Sequence, residues 1–405
     1  MLVAFRFKNY GSFKDEMVLD LRAIKSYKEH PYNLITKNKE NPLLKVIAVY
    51  GANASGKSTF VNAYSAFLRI VRRSFRPNDA ENSDSILNKC YYPFLLDEDS
   101  INEGTEFEGI YHHNGYEYRY GYIYNDKSIQ YEWLYRKSMA TNRLVRILER
   151  GPEKIDLGAS VKKACEKYLP DIAEDVLALS FFSSLKLRTQ VFVEAISCIL
   201  AILPVSLAHD RLTEFFIKDY FEKDFSETER PRLLAFLKAI DVGIRDIRVE
   251  KNKNTLLVFT KHIGKDNNPC EFLLDLESDG TRRAIAIYSL MRQALLHGKG
   301  LIIDEFNSQL HPLLQKYIVD RFYQSDNCAQ LIYTTHDTLL LDKQYMRRDQ
   351  IWFTSKNEDG ESSLFSLAEF KIRNDQSFGK DYLGGVFGAI PILKNFSFEE
   401  VKDGQ

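Results

Sequence analysis

The chain lacks most of what marks a specialised protein class. Its five cysteines, Cys90, Cys165, Cys198, Cys270 and Cys328, include no C-x-x-C pair. That argues against a zinc knuckle and a disulfide framework alike, and fits a reducing cytoplasm. Neither sign of charge is in excess, since 55 basic residues face 56 acidic ones, so a nucleic acid or membrane contact would have to come from a local patch. No apolar run is long enough to span a bilayer. The longest, AISCILAILPVSLA from Ala195, is broken by Pro204 and reads as a buried helix. The opening MLVAFRFKNYGSF has no apolar signal-peptide block and reads as a strand. Repeats, low-complexity stretches and sustained heptads are absent, which excludes solenoids and a coiled-coil arm. With 44% hydrophobic and 27% charged residues over 405 positions, what remains is a soluble α/β protein large enough for one domain with insertions or two sharing a core.

Residues 2 to 8 and 16 to 22 alternate like two antiparallel strands around a turn at Asn9 to Ser12. Lys45 to Tyr50, KVIAVY, is continuously apolar, the pattern of a strand buried on both faces. It runs straight into GANASGKST, residues 51 to 59, after which Phe60, Ala63, Phe67, Ile70 and Val71 keep helical spacing. Between Phe107 and Tyr135 the period falls to two, with turns at Asn114-Gly115 and Asn125-Asp126, predicting a three-stranded meander. Its middle strand carries Tyr116, Tyr118, Tyr120, Tyr122 and Tyr124 on one face. Such a stripe can stack bases, but aromatic β propensity makes a half-buried sheet face the stronger reading. Three segments follow: an N-terminal lobe with an antiparallel β subdomain over 1–150, a helical insertion over 151–240, and a C-terminal lobe over 241–405.

Gly51, Gly56, Lys57 and Ser58 match G-x-x-x-x-G-K-[ST], placed between a buried strand and a helix. Glycines let backbone N–H groups and the helix dipole face phosphate charge, so Gly51, Asn53, Ala54, Ser55, Gly56, Lys57, Ser58 and Thr59 are candidate nucleotide contacts. Lys57 suits the β and γ phosphates, and Ser58 suits Mg²⁺. In LIIDEF, Asp304 ends a buried strand where it can reach Mg²⁺ through water, and Glu305 can polarise an attacking water. No N-K-x-D occurs, so ATP is favoured over GTP. A third apolar strand, AQLIYTTHD, brings His336 to the same edge as a candidate γ-phosphate sensor. In LESDGTRRAI, Ser278 and Asp279 are N-cap residues and Gly280 allows close approach, a second helix start of anion-binding character whose helix Gly298 ends. Arg69, Arg72, Arg73 and Arg76 share one side of the first helix, an ordinary solvated face or a DNA contact.

In order, phosphate loop, helical insertion, Ser-x-Gly helix start, Asp-Glu strand and histidine strand resemble the ATPase heads of the ABC class, in the branch of recombination-repair and chromosome-structure ATPases. Within it the chain is most similar to the ATPases of abortive-infection and PARIS-like anti-phage systems, often catalogued with the AAA ATPases. The stretches that carry this are MLVAFRFKNYGSF, GANASGKST, YYPFLLDED, ESDGTRR, LIIDEFNSQLHP, TTHDTLLL, RRDQIWF and YLGGVFGAIPIL. The resemblance implies a P-loop NTPase of mixed sheet with flanking helices, using ATP and Mg²⁺ in the cytoplasm. It also implies a homodimer in which Ser278 and Gly280 of one copy cap the γ-phosphate held by another, with Asn307 to His311 crossing the interface. A separate, nuclease-like effector would be the partner. Two departures stand out: Asp279 replaces a usual glycine, and Thr281 a usual glutamine. The glutamine that couples Mg²⁺ to the helical lobe has no clear counterpart, and Gln190 is the candidate. Two other functions fit the same residues: a DNA-repair ATPase clamping duplex DNA, and an ATP-binding scaffold with negligible turnover.

Overall fold

Because KVIAVY has no polar alternation, the strand it forms, Val46–Gly51, needs cover on both faces, and every one of its residues is buried. The structure, a computed structural model, describes residues 1–36, 41–75, 85–185, 189–206, 210–240, 242–252, 255–308, 310–373 and 376–391. Val46–Gly51 lies inside a six-stranded sheet ordered Ile202–Ser206, Gly300–Asp304, Gln330–Thr335, Val46–Gly51, Ile351–Lys356 and Ser362–Ser366. The first five run parallel and the last is antiparallel. Alternate residues feed two cores: Ile47 and Val49 enter one, Val46, Ala48 and Tyr50 the other.

The helix Lys57–Arg73 covers the first face and is itself covered by a seven-stranded antiparallel sheet. Phe60, Tyr64 and Phe67 pack against Phe5, Phe7 and Tyr122 of that sheet, with Phe67 and Tyr122 stacked at 5.6 Å. The predicted meander is present as Thr105–His113, Tyr116–Tyr124 and Ile129–Ser138. It is extended by Leu144–Arg150 and Ile155–Leu157 on one side and by the N-terminal hairpin Leu2–Lys8 and Met17–Asp20 on the other. Tyr118, Tyr120, Tyr122 and Tyr124 are fully buried. The Tyr120 hydroxyl donates to Glu132, Tyr122 to the Phe67 carbonyl and Tyr124 to the Cys90 carbonyl. From Tyr118 to Tyr124 the stripe is therefore a core face with satisfied hydroxyls and closed to bases, while Tyr116 at its end is half-buried under the Arg136 guanidinium.

Against the second face lie Asp279–His297 and Pro312–Tyr323, together with Asp210–Asp219, Arg230–Ala239 and a three-stranded sheet, Asp246–Asn252, Thr255–Ile263 and Pro269–Leu273. Two expectations need correction. The run from Ala195 is not one buried helix: the helix Val191–Ile199 ends, and Ile202–Ser206 becomes an edge strand, where the missing N–H of Pro204 is tolerated. Nor is 151–240 helical throughout, because Ile155–Leu157 closes one sheet and Ile202–Ser206 edges the other. Among the described residues no helix is long and apolar enough to cross a membrane.

Two other stretches prove structural. Arg347 of RRDQIWF, 1% exposed, pairs with Asp349 and donates to the carbonyls of Ile24, Tyr27 and Glu29, stapling the segment after the first hairpin to the sheet. In YLGGVFGAIPIL, Tyr382 and Phe387 stack on Phe353, while Leu383 and Val386 face solvent.

Candidate nucleotide site

Parallel strands align their carboxyl ends, and Gly51, Asp304 and Thr335 therefore finish on one edge of the central sheet. The phosphate loop leaves that edge in a conformation that explains its composition. Gly56 has φ 113°, and a Cβ on Gly51 would lie 2.3 Å from the Thr354 hydroxyl. The helix then starts at Lys57 with no side-chain cap, so its first N–H groups stay available. Lys57 Nζ donates to the carbonyls of Gly51 and Ala52, both at 2.7 Å. Burial pushes its pKa down, and the Asp304 and Glu305 carboxylates oppose that shift.

Thr334 organises the acidic pair. Its hydroxyl donates to Asp304 Oδ1 at 2.6 Å and accepts from the Glu305 amide at 2.8 Å. Asp304 is thereby fixed and buried, while Glu305, with a left-handed φ of 53°, turns its exposed side chain away from the strand. A left-handed glutamate is strained, by roughly 1–3 kcal/mol, and is held here by the hydrogen bonds around it. Asn307 accepts from the Thr335 hydroxyl at 3.0 Å, and its amide faces His336 Nε2 at 3.0 Å.

A cavity of about 830 Å³ gathers these groups. Asn53, Ala54, Gly56, Lys57, Ser58, Thr59, Glu305 and His336 line it. Gly51, Ser55 and Asp304 support it from behind, Ser55 through a 2.6 Å bond to Thr354. Sequence reasoning missed Ser12 and Lys356, which also line it and come from distant hairpins without a local motif. Ser278, Gly280 and Gln190 do not line it. Gln190 is exposed at the start of Val191–Ile199. Ser278 is exposed and caps its own helix through the Thr281 amide at 3.2 Å. From the same helix, Arg283 reaches the Ser308 hydroxyl at 3.2 Å, beside the cavity. A larger hollow of about 1090 Å³ lies on the outer face of the seven-stranded sheet around Trp133. Its rim charges pair locally, Glu149 with Arg146 and Asp156 with Lys154, and it has no phosphate loop.

Residues 46–342 match the family model described as "AAA domain, putative AbiEii toxin, Type IV TA system". The chain belongs to this AAA family. Members are P-loop proteins, in keeping with the strand, loop and helix described above. Among solved structures it is similar to the Smc head bound to the C-terminal winged-helix domain of ScpA, at 14% identity and a TM-score of 0.42, covering 90% of this chain and 97% of that one. A second is the SMC head domain from Thermotoga maritima, at 12% identity and a TM-score of 0.39, covering 92% and 99%. No curated protein matches.

Proposed function

We propose that this AAA protein is a Mg-ATP-dependent ATPase whose site is completed by a second copy, and that it serves as the sensor and regulator of an abortive-infection defence against phage, controlling a separate effector. One observation carries the enzymatic part: the uncapped helix start at Lys57, the exposed Glu305 and His336 share one cavity. The loop N–H groups and Lys57 bind phosphate charge, Glu305 orients and deprotonates water, and His336 donates to the terminal phosphate. Ser58 and Asp304 offer hydroxyl and carboxylate oxygens, a donor pair that fits Mg²⁺ alongside phosphate oxygens. The chemistry these two residues would hold there, with Mg²⁺ bound, is neutralisation of phosphate charge. Support for the second copy is that Ser278 and Gly280 stand outside their own chain's cavity on an accessible helix tip. The defence role rests on the family's printed description and on the resemblance in sequence.

Glu305→Gln tests the enzymatic part. Phosphate release should fall by about 10²–10⁴-fold with nucleotide binding retained, as expected on losing a general base. Equal, slow release by both forms would leave a nucleotide-binding scaffold instead. A DNA-clamping role draws support from Arg69, Arg72 and Arg73, which are exposed and free of ion pairs among the described residues, Arg76 lying outside them. Duplex affinity falling steeply with added salt is its signature, and no binding at low salt removes it.

A further inference from the structure

The strand that feeds the phosphate loop has two neighbours. On one side Gln330–Thr335 leads to His336, and beyond it Gly300–Asp304 leads to Glu305, so the groups suited to a terminal phosphate all lie on that flank. On the other side runs Ile351–Lys356. Trp352, Thr354 and Lys356 share one face of it. Trp352 enters the core beside the phosphate-loop helix, and Thr354 bonds Ser55 of the loop. Lys356, two residues further on, lines the cavity.

Two hairpins hold this corner closed. Ser362, which pairs with Lys356 across its hairpin, bonds Ser12 of the N-terminal hairpin at 2.7 Å. A Cβ on Gly56 would lie 2.8 Å from the same Ser362 hydroxyl, and one on Gly11 would lie 2.5 Å from the Thr59 methyl. Ser12 and Lys356, next to these close approaches, therefore line the cavity beside the first turn of the phosphate-loop helix, where a P-loop seats the inner phosphates. The neighbouring Lys14 spends its charge on Asp97 and Glu361, at 3.7 and 3.5 Å. The Lys356 ammonium has no ion pair or hydrogen bond among the described residues.

We infer that Lys356, with Ser12 beside it, is a second phosphate-binding position: a lysine that neutralises the inner phosphates common to nucleoside di- and triphosphates, opposite the flank that senses the terminal one. This rests on the nucleotide reading above. A flexible ammonium recognises charge and not a base, so Lys356 adds affinity without choosing the nucleobase.

The test is binding of MgADP and of a non-hydrolysable MgATP analogue to the full chain, by calorimetry. Lys356→Ala should weaken both by the same factor, about tenfold, in the range of one hydrogen bond to a charged group. Lys356→Arg should recover most of that loss. His336→Ala should weaken the analogue alone. Unchanged affinities in Lys356→Ala, or a loss confined to the triphosphate, would overturn the inference while leaving the nucleotide site standing. Failure of the wild-type chain to bind either ligand would reject the nucleotide reading itself. Lys356 is exposed, so an unchanged unfolding temperature should accompany each variant.

Discussion

Two helices begin in glycine and small polar residues, and their beginnings differ in what they do with their N–H groups. Lys57–Arg73 follows a left-handed Gly56, has no side-chain cap and no acid in its first turn, and opens with a lysine. Asp279–His297 is capped by its own Ser278, shares that hydroxyl with Thr281 at 2.9 Å, and carries Asp279 in its first turn. The first is left electrostatically open toward an anion. The second already answers its own dipole, with Asp279 exposed and 3.9 Å from Arg282. Similar residues thus build an uncapped helix start in one place and a finished helix cap in the other. Capping by Ser278 does not forbid a phosphate contact, because the hydroxyl can accept from the Thr281 amide while giving its proton to a new partner.

The contrast can be broken at its open end first. Lys57→Ala should weaken nucleotide binding on the order of 100-fold, the loss of roughly 2–3 kcal/mol of charged hydrogen bonding, as measured by titration with MgATP. A smaller step is Thr334→Val, which frees Asp304 and the Glu305 amide together. Apparent Mg²⁺ affinity in the ATPase assay should fall by about 10–100-fold, the usual consequence of removing a partner that orients a metal-binding carboxylate. At the capped end the effect should be least. Ser278→Ala should cost about 1 kcal/mol in denaturant unfolding and leave the chain's own nucleotide affinity unchanged. If a second copy completes the site, the same variant should also reduce ATP-dependent self-association in sedimentation. Undiminished association would confine Ser278 to capping.

Much of this was legible in the sequence because the signals were local. The glycine loop between a buried strand and an amphipathic helix, the Asn114-Gly115 turn, and the Ser278 cap each declare themselves within a dozen residues. Failures came where a local pattern was ambiguous or absent. An apolar run does not distinguish a buried helix from a buried strand, and the stretch from Ala195 is both in succession. Lys356 and Ser12 reach the cavity because two hairpins from opposite ends of the chain meet beside it, with Ser12 and Ser362 bonded across 350 positions. Thr334, an ordinary strand residue by pattern, turns out to tie Asp304 to Glu305.

The helix behind the phosphate loop is wedged between two sheets, with residues from Lys57 to Val71 buried on both sides. Such a seat behaves as an anvil. Moving it would disturb tight packing on both flanks at once, which interiors resist. A ligand that presses on the loop must therefore spend its leverage on lighter parts, and at this cavity those are the exposed Glu305 and His336.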